Sequence, residues 1–126
     1  MNRIRITAVT GFLAVALGAL GAHGLESSLK PNLDPAQLAK QLGWWHTAGQ
    51  YHLIHAVAML AIALREPVAT WAWRLMLAGI VLFSGSLYIM GATGSIALRH
   101  ATPIGGLLLL AGWLALCSGG SGTKRT

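Results

Sequence analysis

Between Lys40 and Arg65 the chain reads QLGWWHTAGQYHLIHAVAMLAIAL, residues Gln41 to Leu64, with no charged side chain in 24 positions. As a helix rising 1.5 Å per residue it is about 36 Å long, enough to cross a hydrocarbon core of roughly 30 Å. Its apolarity is continuous and lacks the dyad alternation of a barrel strand, so the backbone must satisfy its own hydrogen bonds as a helix. Working outward, three more uncharged runs follow the same rule: Ile6 to Leu25, Leu75 to Leu98 and His100 to Thr123, of 20, 24 and 24 residues. The fold class expected is therefore all-α: a polytopic membrane protein with four transmembrane helices in one bundle. The single domain covers residues 1–126, with spans at about 6–25, 44–64, 75–98 and 101–118.

Composition excludes the main alternatives. Of 126 residues, 55% are hydrophobic and 10% are charged, against roughly 25% charged in a soluble domain. The net charge of +6 does not mark a nucleic-acid binder, because the nine cations fall singly or in pairs between apolar runs and never form a basic face. A lone cysteine, Cys117, leaves no intrachain disulfide and no cysteine-rich metal site.

The cations set the expected orientation. With four spans, Arg3, Arg5, Arg65, Arg74, Lys124 and Arg125 share one side, while Lys30, Lys40 and Arg99 occupy the other. Positive flanks stay inside, so both termini are expected in the cytoplasm of a cell whose inner (plasma) membrane the chain crosses. Trp71 and Trp73 fit the inner aromatic belt, and Trp44 and Trp45 the outer one. Arg3 and Arg5, an apolar stretch and the small residues of Gly18 to Gly24 also have the outline of a secretory signal peptide. Its removal would leave three spans, and retention is the expectation.

The outer segment 26–43 carries a helix-start signal: Asp34 as N-cap, Pro35 in the first turn and Gln37 three residues after the cap. Leu38, Leu42 and Trp45 then recur at helical spacing, which predicts a short amphipathic interfacial helix leading into the second span, with Gly43 or Gly49 free to bend it. Glu26, Asp34 and Glu66 are all expected in loops. The tail Ser118 to Thr126 reads as polar and flexible.

Small residues suggest close packing. Ala14, Gly18 and Ala22 form a small-xxx-small strip on span one, and Gly91 with Ser95 on span three; span four offers Ala101 with Gly105, or Ala111 with Ala115.

The distinctive feature is the polar content of span two. Thr47, Tyr51 and His55 stack at successive i+4 steps, with His52 to one side and Gln50 to the other, and such groups turn toward a bundle interior. Counted from Trp44, His52 lies about 12 Å deep and His55 about 16 Å deep, in the stratum reached by Ser84, Ser86 and Tyr88 of span three. His23 closes span one, and His100, Thr102 and Pro103 open span four, on the same outer side. A polar chamber lined by His23, Thr47, Gln50, Tyr51, His52, His55, Ser84, Ser86 and Tyr88 is the expectation. His55 in particular should bury against span three or four with a hydroxyl or carbonyl partner.

GALGAHGL (Gly18 to Leu25), WHTAGQYHLIHA (Trp45 to Ala56), LFSGSLY (Leu82 to Tyr88) and TPIGG (Thr102 to Gly106) together resemble the motifs of a bacterial inner-membrane family, domain-of-unknown-function family 423, with human transmembrane protein 256 as a relative. The resemblance covers nearly the whole chain in order. It implies a four-span membrane protein and brings no activity, cofactor or catalytic residue.

Two function classes follow from the residues. In the first, the polar groups are interhelical hydrogen bonds in a non-enzymatic bundle or lateral subunit of a membrane complex, with the lipid bilayer, other membrane proteins or a second copy as partners. In the second, the chamber binds or passes a proton or small solute, with Tyr51, His52 and His55 as relay and Tyr88 opposite. Metal or haem binding is not expected: His52 and His55 share one helix, with only His23 or His46 to complete a set, and Cys117 sits toward the other side. Hydrolytic chemistry is not expected either, since Ser84 and Ser86 have no carboxylate at their depth to orient a histidine. No cofactor is implied.

Overall fold

The computed structural model describes residues 2–65 and 67–118, and all regular structure among them is helical. Four helices are long and apolar enough to cross a membrane. The first, α1, runs Arg3–Leu20 and continues through a π-helical turn Gly21–Leu25, one α turn Glu26–Leu29 and a 3₁₀ turn Lys30–Asn32. The second, α2, is Pro35–Leu64; α3 is Thr70–Thr93 and α4 is Ala101–Ser118. Lys124, Arg125 and Glu66, used above for topology and loop placement, lie outside the described residues.

Helix ends follow backbone chemistry rather than the positions of charges. Glu26 does not end α1 in a loop; it opens the α turn of the extension, because water or headgroups can satisfy a charged side chain on a helix. Asp34 caps α2 by accepting the Gln37 N–H at 2.9 Å, with Pro35 in the first turn. The amphipathic segment is the start of that same 30-residue helix, which passes Gly43 and Gly49 without interruption. About 45 Å long, it outreaches the hydrocarbon core by some ten residues. Helix α3 occupies 70–93 rather than 75–98. It stops where Gly94 takes a left-handed conformation, φ 72°, and returns its N–H to Met90 O, a geometry costly for any residue with a Cβ. Ser95 thus lies beyond the helix and does not extend a strip from Gly91.

Two apolar clusters fill the bundle. Met59, Ile62, Ala72, Trp73, Met76, Ile80 and Leu109 pack near the end that carries Arg3 and Arg74. Leu25, Trp45, Ala48, Leu87 and Tyr88 pack near the other end. Helices α2 and α3 sit centrally, with α1 and α4 on their flanks.

Against α3, α4 packs through interlocked glycines. A Cβ on Gly105 would collide with the Phe83 backbone N, one on Gly79 would meet Leu109, and one on Gly112 would meet Met76. Positions 105, 109 and 112 of α4 therefore mesh with 83, 79 and 76 of antiparallel α3. The expected strip on α1 is only partly used. Ala14 is buried, but Gly18 and Ala22 face outward, and a Cβ on Gly18 would meet nothing within 4 Å. The inward line of α1 runs Thr7, Thr10, Ala14, Gly21 and Leu25, which puts Gly21 against the Trp45 indole.

Candidate functional site

Helix α2 buries Gln41, Trp45, Ala48, His52, His55, Met59 and Ile62. These positions step alternately by four and three residues, the seam of helices packed nearly parallel or antiparallel. This seam, rather than the Thr47 and Tyr51 line, decides which polar groups enter the interior. His52 and His55 lie on it, each 5% exposed, whereas Gln50 and Tyr51 face outward and Thr47 is half-buried. His23 is exposed on the π turn of α1 and joins no cluster with them.

Gln41 Oε1 at the start of the seam is buried without a partner among the described residues, but the histidines and the hydroxyls beside them have definite ones. His52 Nδ1 lies 3.0 Å from Tyr88 Oη, joining α2 to α3. One turn away, Ser84 donates its hydroxyl to the Ala48 carbonyl at 2.9 Å. His55 uses both ring nitrogens: Nδ1 is 2.7 Å from the Tyr51 carbonyl in the preceding turn, and Nε2 accepts the Trp113 indole N–H at 3.0 Å. Those two bonds fit one tautomer, with the proton on Nδ1. Tyr51 stacks on the same imidazole and on Phe83. Ser86 and Thr102 hydroxyls meet at 2.6 Å, joining α3 to α4.

Helix α1 is held through indole and guanidinium donors. Trp45 donates to Leu17 O at 2.9 Å, a carbonyl in the turn that leads into the π segment. Trp73 donates to the buried Thr7 hydroxyl at 3.0 Å, and Arg3 donates to Thr70 at 3.0 Å. Among the described residues, seven bonds thus connect α1–α2, α1–α3, α2–α3, α2–α4 and α3–α4.

Six of the nine residues expected in one chamber are divided among three separate clefts. His52, Ser84 and Tyr88 face a cleft of about 240 Å³ shared with Thr10. Tyr51 and His55 face another of about 510 Å³ beside Phe83 and Trp113. Gln50 and His46 lie on a third of about 440 Å³, with Ala14, Gly18 and Gly49. The physical reason is the breadth of the polar arc: its members span well over 100° around α2, and helices packed on both sides divide that arc. Among the described residues, no three of His, Cys, Asp and Glu come together at metal-ligand distance.

Trp113, Thr7 and Thr70 escaped the sequence reading, and Trp45 and Trp73 were read as belt residues only. Trp113, Thr7 and Trp73 were accessible to the depth count applied to span two. Trp113 lies 12 residues into α4 from Ala101, matching the 11 residues from Trp44 to His55, and Thr7 and Trp73 each sit one turn into helices that start at the same end.

With this geometry in place, comparison with known proteins decides the family. The family model described as "Protein of unknown function (DUF423)" matches residues 17–106, from the end of α1 to the first turns of α4. The chain belongs to this family. Relatives of the chain include the UPF0382 membrane protein YwdK of Bacillus subtilis, 41% identical over 90% of both chains. A UPF0382 membrane protein of Haemophilus influenzae is 38% identical over 96% of this chain and 94% of its own. The UPF0382 inner membrane protein YgdD of Escherichia coli K12 is 37% identical over 94% and 88%. No solved structure matches. The DUF423 chain described here is a membrane protein, and its matched segment contains every interhelical bond of α2 except that to Trp113.

Proposed function

We propose that this protein is a non-enzymatic four-helix membrane bundle, free-standing or a lateral subunit of a membrane complex, whose buried polar groups serve as interhelical hydrogen bonds. The observation that carries this reading is that both buried histidines are committed to partners. His55 spends one nitrogen on its own helix and the other on Trp113, so a proton could pass through it only by breaking one of the two bonds. His52 and His55 open onto different clefts, which counts against a relay running from one to the other. In lipid such bonds contribute on average about 0.6 kcal/mol each, and seven spread over five helix pairs favour one arrangement of the bundle.

The orientation proposed is both termini in the cytoplasm of the inner (plasma) membrane, on the count of six cations against three. A tag after Thr126 reached by a membrane-impermeant reagent from the periplasmic face of intact cells would overturn it.

The test of the structural role is a pair of variants at His55. His55→Gln keeps a donor and an acceptor and should leave thermal stability in detergent near that of the parent. His55→Leu orphans the Trp113 indole N–H and removes the extra contact to the Tyr51 carbonyl, and should cost about 1 to 2 kcal/mol. Proteoliposomes of the parent should show no proton flux under an imposed pH gradient. Flux in the parent that His55→Gln abolishes while remaining folded would replace this reading with a relay.

A further inference from the structure

At the end of the bundle opposite Gly94, the start of α1, the start of α3 and the last turn of α2 enclose a cleft of about 590 Å³. That volume lies within the roughly 300–1,000 Å³ typical of small-molecule sites. Arg3, Arg74 and Asn2 line its polar part, and Ile6 and Val68 its apolar part. The buried Trp73 also contributes to the lining. The two arginines are held rather than free. Arg3 donates one N–H to Thr70 Oγ1 at 3.0 Å, and the Arg74 guanidinium stands 5.6 Å over the Trp71 ring. Each guanidinium carries five N–H donors in a planar fork, so Arg3 retains donors for a ligand after the bond to Thr70. Trp73, fixed through its indole bond to Thr7, forms part of the same wall.

We propose that this cleft is a binding site for a phosphate group, and specifically for the phosphodiester of an anionic phospholipid. Two guanidiniums on one cleft match a phosphate oxygen set, since Arg recognises phosphate through paired N–H donors. The division of the lining selects the lipid over free phosphate. Its cationic part belongs at headgroup level, and Ile6, one turn further along α1 than Arg3, meets the glycerol and the first acyl carbons below. Basic pockets between spanning helices are a general mode of anionic headgroup recognition. The site uses none of the bonds assigned to His52 and His55, so it stands whether or not those histidines are purely structural.

The experiment is native mass spectrometry of the full-length protein from detergent, with phosphatidylglycerol and phosphatidylcholine of matched acyl chains in equal amounts. One phosphatidylglycerol per chain should be retained in preference to phosphatidylcholine. Arg74→Gln and Arg3→Gln should each lower that retention about fivefold, the worth of one cation at an anionic surface. Arg99→Gln, at the other end of the bundle, should leave retention unchanged. Arg74 is exposed and makes no bond to another helix, so Arg74→Gln remains interpretable if Arg3→Gln loosens α1. Equal retention of both lipids, or a phosphatidylglycerol preference untouched by Arg74→Gln, overturns the site. Displacement of the lipid by millimolar inorganic phosphate overturns its assignment to a lipid and identifies free phosphate as the ligand.

Discussion

Helices α1 and α4 flank the same central pair and are attached to it by different physics. Helix α4 lies backbone to backbone on α3, with Gly105, Gly79 and Gly112 removing the side chains that would hold the two apart. Helix α1 approaches less closely and is fastened by discrete donors, namely Trp45 to Leu17 O, Trp73 to Thr7 and Arg3 to Thr70. Lipid supplies no hydrophobic drive between helices, so association rests on dispersion contacts and on hydrogen bonds, and this bundle uses one mainly on each flank. Many small contacts tolerate no added atom, while a bond between two side chains can be lost singly.

That contrast is broken most severely at Gly105. Gly105→Ala places a methyl against the Phe83 backbone, which has no flexible end to move, so stability should fall by about 3 kcal/mol despite the better helix propensity of alanine. Reversible unfolding in mixed detergent measures it, and a neutral result would mean that the interlock is not as tight as described. A smaller loss is expected on the other flank. Trp73→Phe removes the indole donor to Thr7 and should cost about 1 kcal/mol, and a double-mutant cycle with Thr7→Val should return a coupling within the roughly 0.6 to 1.7 kcal/mol seen for bonds in lipid. Additive single effects would remove this clasp from the account of α1. The smallest effect belongs to Gly18→Ala, where the new methyl meets nothing and stability should hold or rise by up to about 0.5 kcal/mol. A large loss there would indicate that the outward face of α1 packs against something in the measured sample.

The two flanks also differ in how legible they were. Glycine in an apolar run points to close approach, and Gly105 stood among the small residues singled out on span four. Which glycines are used depends on helix rotation, and Gly18 and Gly105 cannot be told apart by spacing. The donors that fasten α1 are tryptophans, read from sequence as belt residues because an indole at a helix end fits a membrane interface equally well. Only a neighbour at the same depth shows whether its N–H meets a headgroup or a hydroxyl such as Thr7.

Four spans, the all-helical class, the Asp34 cap and the concentration of polar groups on α2 were determined by the sequence itself. They depend on length, continuous apolarity and local hydrogen bonding, all of which are properties of adjacent residues. The division of those polar groups among three clefts was decided by tertiary structure alone. A helix presents its whole circumference, and which part of a broad polar arc becomes interior is fixed by where its neighbours lie. On α2 the seam through Trp45, Ala48, His52, His55 and Met59 takes two histidines inward and leaves Gln50 and Tyr51 outside, because steps of four and three residues are what the facing helices can accept.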